Sequence, residues 1–377
     1  MRIAIVTPLV SRVFGNRCAF VLARELARTH DVTLSVHSLS EPVADEVRRQ
    51  IGGAQLDVLE TVPARRDRMS RLLWWQLVRG PDRRLARRLR SLHRDSPWDA
   101  AIVFADEGHW LGEYLRSWPG AGRPVTAVCL LELLDHPFLL GYARPFAGLR
   151  ALAMPALPAV HRVEAARLRA FDLRFGISGW SSTLLDYLYG IPSDGELAVY
   201  DDALFRPPSV QADGDGYIAL PTASVDGGAL GTVRWLADHG VRFLAYGPRP
   251  LDGIPHRGFV TDAQMVDLIG RARGTLFLFD YEALGLLPIE SLACGTPVIT
   301  EPRQGPYFEH RLNPQVRFAT RREELLEACL QLQAHPRDPE AAAAAVESVR
   351  RYRPAAVAAA LAEKVRSARR GGGPPAG

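Results

Sequence analysis

The sequence predicts an α/β protein with two Rossmann-like domains, each built on a doubly wound parallel sheet. First, the 377 residues are enough to form two hydrophobic cores. Second, short apolar runs alternate with helical periodicity in both halves of the chain. Third, a segment rich in Pro, Gly and Asp separates these halves. The composition, 47% hydrophobic and 23% charged, is typical of a folded globular protein.

The first half of the chain contains short buried-type strands separated by helical patterns. The predicted elements are strand 2–7, helix 19–29, strand 31–37, strand 100–104 and strand 124–131. Short apolar strands that alternate with helices are typical of parallel βαβ units covered on both faces.

The second half repeats this organisation. Its predicted elements are strand 217–220, helix 231–239, strand 242–246, helix 262–271, strand 275–279, helix 288–294 and strand 297–300, followed by helical stretches 321–335 and 339–352. The linker falls within 204–216, where apolar periodicity is lost. We therefore predict domains 1–205 and 206–350, a C-terminal helix over 351–370 that could pack on the first domain, and a disordered tail over 371–377.

The composition argues against several classes of protein. The N-terminal apolar run stops at Pro8, so it is predicted to be a strand and not a signal peptide. We find no stretch of about 18 apolar residues, so any membrane contact should be peripheral. The four cysteines lack metal-ligand spacing and are expected to be reduced, buried thiols of a cytoplasmic protein. Nearly all basic residues are Arg, which indicates a GC-rich, bacterial-type codon bias and no nucleic-acid partner.

One segment of the second half combines two carboxylates with a predicted anion site. Glu282 follows the end of strand 275–279, and Pro288 fits the first position of the next helix. Backbone amides near Gly285, Leu286 and Leu287 would open that helix, where a phosphate is favoured. Glu290 would lie in its first turn. The alternative is that both glutamates only stabilise the helix start and Gly285 only permits a turn.

The stretch from Glu282 to Ile299 resembles the E-x7-E signature, and the helix and strand after it, of the family 4 retaining glycosyltransferases, also called glycosyl transferases group 1. Segments 175–192, 203–207 and 256–262 are similar to the end of the family's N-domain, its crossing into the C-domain and its nucleobase loop. The resemblance implies a GT-B fold, in which the two domains face a central cleft.

The same resemblance implies a reaction and a set of donor contacts. The reaction is transfer of a sugar from a nucleoside diphosphate sugar to a small-molecule, glycan or lipid-linked acceptor hydroxyl with retention. It requires no metal or other cofactor. Glu282 would contact the sugar, Glu290 the ribose, and the amides of Gly285 to Leu287 the distal phosphate. Phe259 and Arg257 would contact the nucleobase.

The sequence departs from the family where cations normally bind the donor diphosphate. Pro221 or Thr222 replaces the usual arginine, and Asp226 replaces the usual lysine. An acid at this place would repel a phosphate, which would cost roughly a few kcal/mol of binding free energy in a partly dry cleft. Thr222 stays a candidate donor contact. Arg12 or Arg17, beside Gly15 in the loop that would approach the donor, could supply the missing charge.

Candidates in the first half are less specific. Glu132 or His136 could take the place of a catalytic histidine of the family, although a histidine beside Pro137 is more often structural. Asp106, Glu107 and His109 are candidates for acceptor binding because they follow strand 100–104.

An arginine-rich stretch over 65–94, with Trp74 and Trp75 inside it, is typical of a basic interfacial helix at an anionic membrane. A solvated helix face that packs its tryptophans inward explains the same pattern.

The preferred prediction is a glycosyltransferase of the hexosyltransferase type, in bacterial natural-product or cell-envelope glycoside synthesis. The main alternative is a GT-B protein that has lost donor binding and acts as a partner or activator of another enzyme. A GT-B epimerase also shares the architecture. A phosphorylase would need a lysine-bound cofactor, and Lys364 in the last helix is poorly placed to hold one.

Overall fold

The structure, a computed structural model, consists of two compact units. It describes residues 1–10, 17–62, 83–104, 109–118, 122–131, 155, 157–208, 216–223, 225, 227–279 and 281–370. The first unit comprises Met1–Val199 and Pro354–Gly377, and the second comprises Tyr200–Arg353. Each unit contains one parallel sheet, so the predicted α/β class with two doubly wound sheets is confirmed.

The first unit is a six-stranded parallel sheet in the order β3-β2-β1-β4-β5-β6. Its strands are β1 (Arg2–Val10), β2 (Asp31–Ser40), β3 (Gln55–Val62), β4 (Ala100–Phe104), β5 (Val125–Leu130) and β6 (Leu173–Gly176). Its first six helices are α1 (Arg17–Leu26), α2 (Ala44–Ile51), α3 (Arg83–Asp95), α4 (Trp110–Arg116), α5 (Leu157–Arg169) and α6 (Gly179–Tyr189). The central strands are buried on both faces, which explains the unbroken apolar run of β1.

The second unit is a five-stranded parallel sheet in the order β11-β10-β9-β7-β8. Its strands are β7 (Ile218–Pro221), β8 (Phe243–Tyr246), β9 (Gly274–Phe277), β10 (Val298–Thr300) and β11 (Val316–Phe318). Its helices are α7 (Gly227–Asp238), α8 (Asp262–Arg271), α9 (Leu286–Ala293), α10 (Gln304–His310), α11 (Arg322–Ala334) and α12 (Pro339–Ser348). The buried residues Leu220, Leu276 and Ile299 form its core with those of α7 and α11.

After the second unit the chain returns to the first. Helix α13 (Pro354–Arg370) buries Leu361 and Val365 and packs against α1, β5 and β6. Its Arg369 forms an ion pair with Asp99 at 2.5 Å, just before β4. The first unit is therefore built from two separate stretches of chain. The tail predicted to be disordered, 371–377, lies outside the described residues.

Eight elements of the described part of the chain were not predicted as such: β3, β6, β11, α2, α4, α5, α6 and α10. β3 and β11 are edge strands, and β6 has only four residues, so their apolar patterns are short or mixed with polar residues. α10 has seven residues with the sequence QGPYFEH, which carries no apolar periodicity. Such elements form because the sheet and the chain packed against it supply partners, which a local pattern does not show.

Candidate functional site

The strand order of the second unit reverses between β7 and β9, since the chain runs from β7 to β8 and then crosses back to β9 on the other side. In open α/β sheets, ligands bind outside the carboxyl ends of the strands at such a reversal. The loops that leave β7 and β9 contain Thr222 and Glu282, respectively. The fold thus places the E-x7-E segment at the edge where a ligand is expected.

The Glu282 side chain binds the backbone of its own loop. Its Oε1 atom accepts hydrogen bonds from the amides of Leu284 at 3.3 Å and Gly285 at 3.0 Å. Burial raises the pKa of Glu282 above its ordinary value, and hydrogen bonds from backbone amides, including these two, oppose that shift. The carboxylate therefore has a fixed position and a proton affinity above that of an exposed glutamate.

A second segment, Gln304–Pro306, contacts the backbone of the Glu282 loop. The amide of Glu282 donates to Oε1 of Gln304 at 2.8 Å, and the amide of Gly305 donates to the Glu282 carbonyl at 3.0 Å. A Cβ on Gly305 would lie 2.1 Å from the carbonyl oxygen of Ala283, so only glycine fits. Gln304 has a φ of 54°, a left-handed conformation rare outside glycine. The sequence offers only one signal for this segment, the Gly-Pro dipeptide shortly after β10.

Helix α9 begins two residues earlier than predicted. Gly285 is its N-cap with a φ of 77°, so Leu286 and Leu287 are the first two helical residues and Pro288 is the third. Proline fits there because no amide of the first turn has a partner inside the helix. The amides of Leu286 and Leu287 thus open the helix, while that of Gly285 is bound by Glu282.

Glu290 is consequently the fifth residue of α9, and its predicted position in the first turn is wrong. Its side chain is buried, with 3% exposure. The Cys294 thiol lies one turn later, and burial together with the negative charge of Glu290 raises the pKa of this thiol to about 12. Cys294 therefore stays a neutral thiol, and all four cysteines are buried and free of disulfides, as expected.

The predicted nucleobase loop runs beside the end of β8. The amide of Arg257 donates to the Ala245 carbonyl at 2.9 Å, and that of Gly247 donates to the Gly258 carbonyl at 2.8 Å. Phe259 follows with 79% exposure, which is high for an aromatic side chain. The loop thus lies at the same carboxyl edge of the sheet as Glu282.

Thr222, a predicted donor contact, is fully buried at the end of β7. Its hydroxyl donates to the carbonyl of Tyr246 at 3.1 Å and accepts from the amide of Arg249 at 3.2 Å. Since these bonds use its donor and one acceptor position, the side chain joins the ends of β7 and β8.

Arg303, after β10, is a cation of this edge that the sequence did not single out. Its guanidinium lies over the Phe279 ring, 4.9 Å from the centroid, and pairs with Glu301 at 2.5 Å. It also donates to the Phe279 carbonyl. These contacts tie the chain after β10 to the chain after β9.

The first unit holds the other candidates. Arg17 begins α1 and is buried, with 2% exposure. His109 and Glu164 form a buried pair, with Nδ1 of the ring 2.7 Å from a carboxylate oxygen, and Arg167 binds the same carboxylate at 3.1 Å. This places His109 in the core. Several other predicted residues lie outside the described residues: Arg12, Gly15, Asp106, Glu107, Glu132, His136 and Asp226.

Helix α3 carries the described part of the arginine-rich stretch. It buries Leu85 and Leu89 and exposes Arg83, Arg87 and Arg90. Trp74 and Trp75 lie outside the described residues. The exposed arginines are compatible with both interpretations of this stretch, a membrane-facing helix and a solvated helix face.

Within the described ranges, no group of three or more His, Cys, Asp and Glu side chains could hold a metal ion. None of the helices in this part of the chain is long and apolar enough to span a bilayer.

Comparisons with known proteins agree with this architecture. A family model described as glycosyl transferase-like matches residues 231–363, which include Glu282 and Glu290. No curated protein sequence matches the chain. Sucrose-phosphate synthase from Thermosynechococcus elongatus is a similar structure, with a TM-score of 0.70 and 15% identity over 97% of this chain and 98% of that chain. The Anabaena protein HepE in complex with UDP-glucose has a TM-score of 0.66 and 13% identity over 97% and 100%.

A putative UDP-N-acetylglucosamine 2-epimerase from Listeria monocytogenes is also similar, with a TM-score of 0.57 and 13% identity over 97% and 96%. At such identities the similarity establishes the fold and not the reaction. The fold is that of the GT-B glycosyltransferases, and the second unit carries a glycosyl transferase-like sequence.

Proposed function

We propose that the protein transfers a sugar from a nucleoside diphosphate sugar to an acceptor hydroxyl, with retention of the anomeric configuration. The observation that carries this proposal is that Glu282 and Glu290 lie on either side of the start of α9, near the strand-order reversal and within residues 231–363, which match a glycosyl transferase-like family model.

In this proposal each part of the donor has its own contacts. The amides of Leu286 and Leu287, with the positive end of the α9 dipole, would bind the distal phosphate and stabilise the charge that develops on the leaving group. Glu290 would bind the ribose and Glu282 the transferred sugar. The chain at Arg257 and Phe259 would contact the nucleobase.

The donor class is supported by similar structures, since HepE was solved in complex with UDP-glucose. We propose a hexosyl donor and no cofactor beyond this co-substrate. For the acceptor we propose a glycan, small molecule or lipid-linked compound bound by the first unit near Asp106 and Glu107, with Glu132 or His136 in a catalytic role. A bacterial, cytoplasmic enzyme of natural-product or cell-envelope synthesis, in peripheral contact with the inner face of the membrane through α3, fits the arginine-rich composition.

Calorimetric titration with UDP, GDP and dTDP tests the donor site. We expect one nucleotide to bind, and Glu290→Ala to weaken it by about 10- to 100-fold, because the ribose hydroxyls lose a charged acceptor in a buried position. Glu340→Ala is the matched control, since it removes an exposed glutamate from α12 of the same unit. Binding of none of the three nucleotides would contradict the proposal and favour the partner or activator alternative.

The pH dependence of turnover should report Glu282. Because burial raises its pKa, the residue is protonated at a higher pH than an exposed glutamate. If the ionised carboxylate is the active form, the rate falls as the pH decreases through this raised value, which lies above the ordinary 4.5. The pH profile of kcat should therefore show an acid limb above that value. If kcat does not change with pH through this range, ionised Glu282 has no role in turnover.

A further inference from the structure

Arg249 follows β8, but its side chain reaches the loop after β7. One Nη atom donates to the carbonyl of Val225 at 2.7 Å, and the backbone amide of Arg249 donates to Oγ1 of Thr222 at 3.2 Å. Thr222 in turn donates to Tyr246 at the end of β8. This chain of bonds fixes a guanidinium on the loop that borders the reversal between β7 and β9.

No acidic side chain among the described residues neutralises the charge of Arg249. In the part of the chain that the structure describes, its guanidinium has the Val225 carbonyl as its hydrogen-bond acceptor and forms no ion pair. A guanidinium has five N–H donors, so most of them remain for other acceptors. Arg249 is also exposed. Arg303, on the other side of Glu282, differs because it is paired with Glu301.

We propose that Arg249 binds the diphosphate of the donor, an inference that rests on the proposed function. The crevice between β7 and β9 has the amides of Leu286 and Leu287 on the β9 side and the loop carrying the Arg249 guanidinium on the β7 side. A diphosphate carries charge on two phosphoryl groups, so it suits a site with donors on both sides. The guanidinium fork binds phosphate oxygens in a bidentate manner.

This assignment accounts for the unusual sequence of the β7 loop. Pro221, Thr222 and Asp226 leave that loop without a cation of its own. Arg249 supplies one from the neighbouring strand, and the hydroxyl of Thr222 helps to place it. Arg17, the alternative cation suggested by the sequence, is instead buried at the start of α1.

The test compares ligands with and without phosphates. For wild type, Arg249→Ala and Arg249→Lys, we would titrate the best-bound nucleotide among UDP, GDP and dTDP by calorimetry and its nucleoside by NMR. Loss of one charge-assisted contact should weaken the diphosphate by about 10- to 100-fold in Arg249→Ala. The nucleoside affinity should stay unchanged, and Arg249→Lys should retain part of the diphosphate affinity. Arg317→Ala, which removes an exposed arginine of β11, is the matched control and should bind like wild type.

Three results would overturn the proposal. Equal diphosphate binding by wild type and Arg249→Ala would show that the cation is elsewhere while leaving the proposed function intact. Equal loss of nucleoside and diphosphate affinity would show that Arg249 acts on the shape of the site and not on phosphate. Binding of no nucleotide by wild type would refute the proposed function itself. Circular dichroism shows whether each variant is folded, so a loss of binding can be distinguished from unfolding. If Arg249→Ala does not fold, Arg249→Lys still tests the proposal.

Discussion

Glu282→Gln is expected to slow sugar transfer by about 100- to 1,000-fold, because in the proposed site the transition state would lose a negative charge beside the sugar. The substitution is nearly isosteric. The glutamine Oε1 can still accept the hydrogen bonds that Leu284 and Gly285 donate to the carboxylate. The loop should therefore keep its conformation, and nucleotide binding should change little.

The stability of this variant gives a second, independent readout. Because the pKa of Glu282 is raised in the folded state, ionising the carboxylate at neutral pH costs folding free energy. The stability associated with its protonated form is present at low pH and is lost as the pH rises through the raised pKa. Glutamine stays neutral, so Glu282→Gln should have a Tm at pH 7 equal to or above that of wild type.

Turnover would be measured as the release of nucleoside diphosphate from the nucleotide sugar that wild type uses. Tm would be measured by calorimetry. Glu340→Gln, on the exposed side of α12, serves as the control for both measurements. A variant that transfers sugar at the rate of wild type would refute the role of Glu282. A Tm of Glu282→Gln below that of wild type would show that the ionised carboxylate stabilises the folded protein.

Gly305→Ala is expected to have the second largest effect. The new Cβ would lie 2.1 Å from the carbonyl oxygen of Ala283 and 2.7 Å from the amide of Leu284. These are backbone atoms of the Glu282 loop, so the contact can be relieved only by moving that loop or the start of α10. We expect a loss of about 1–3 kcal/mol of unfolding free energy, as for other overpacked sites, together with loss of transfer.

The matched control is Gly231→Ala in α7, where the added Cβ meets nothing within 4 Å beyond its chain neighbours and its own helix backbone. Alanine is the better helix former by about 1 kcal/mol, so this control should be as stable as wild type or more so. Urea unfolding of the two variants measures the difference. Equal stability and activity of Gly305→Ala and wild type would mean that Gln304–Pro306 does not hold the loop.

Elements with strong local signals were predicted well from the sequence. α8 was predicted at its observed bounds, and it begins with a capping box in which Thr261 and Gln264 exchange hydrogen bonds. α9 was predicted two residues late because Pro288 was assigned the first helical position. In the structure the left-handed Gly285 sets the start. A local pattern thus indicates that a helix exists more reliably than where it begins.

The site was predictable only where its parts are close in sequence. Glu282 and the α9 amides come together because strand, loop and helix follow one another along the chain. Gln304 contacts the same loop although it lies 22 residues after Glu282 along the chain, and no local rule connects the two segments. The bond between Thr222 and Arg249 joins the ends of two strands, so it depends on strand order, which the apolar pattern does not encode.

The return of α13 to the first unit affects how the protein is made. A ribosome releases the chain from the N-terminus, so all of Tyr200–Arg353 emerges before the helix that covers α1, β5 and β6. The second unit is one continuous stretch, so all of its residues are released before α13. The first unit must instead keep part of its apolar surface uncovered until α13 has been released. Chaperones or aggregation would therefore act mainly on the half that is synthesised first.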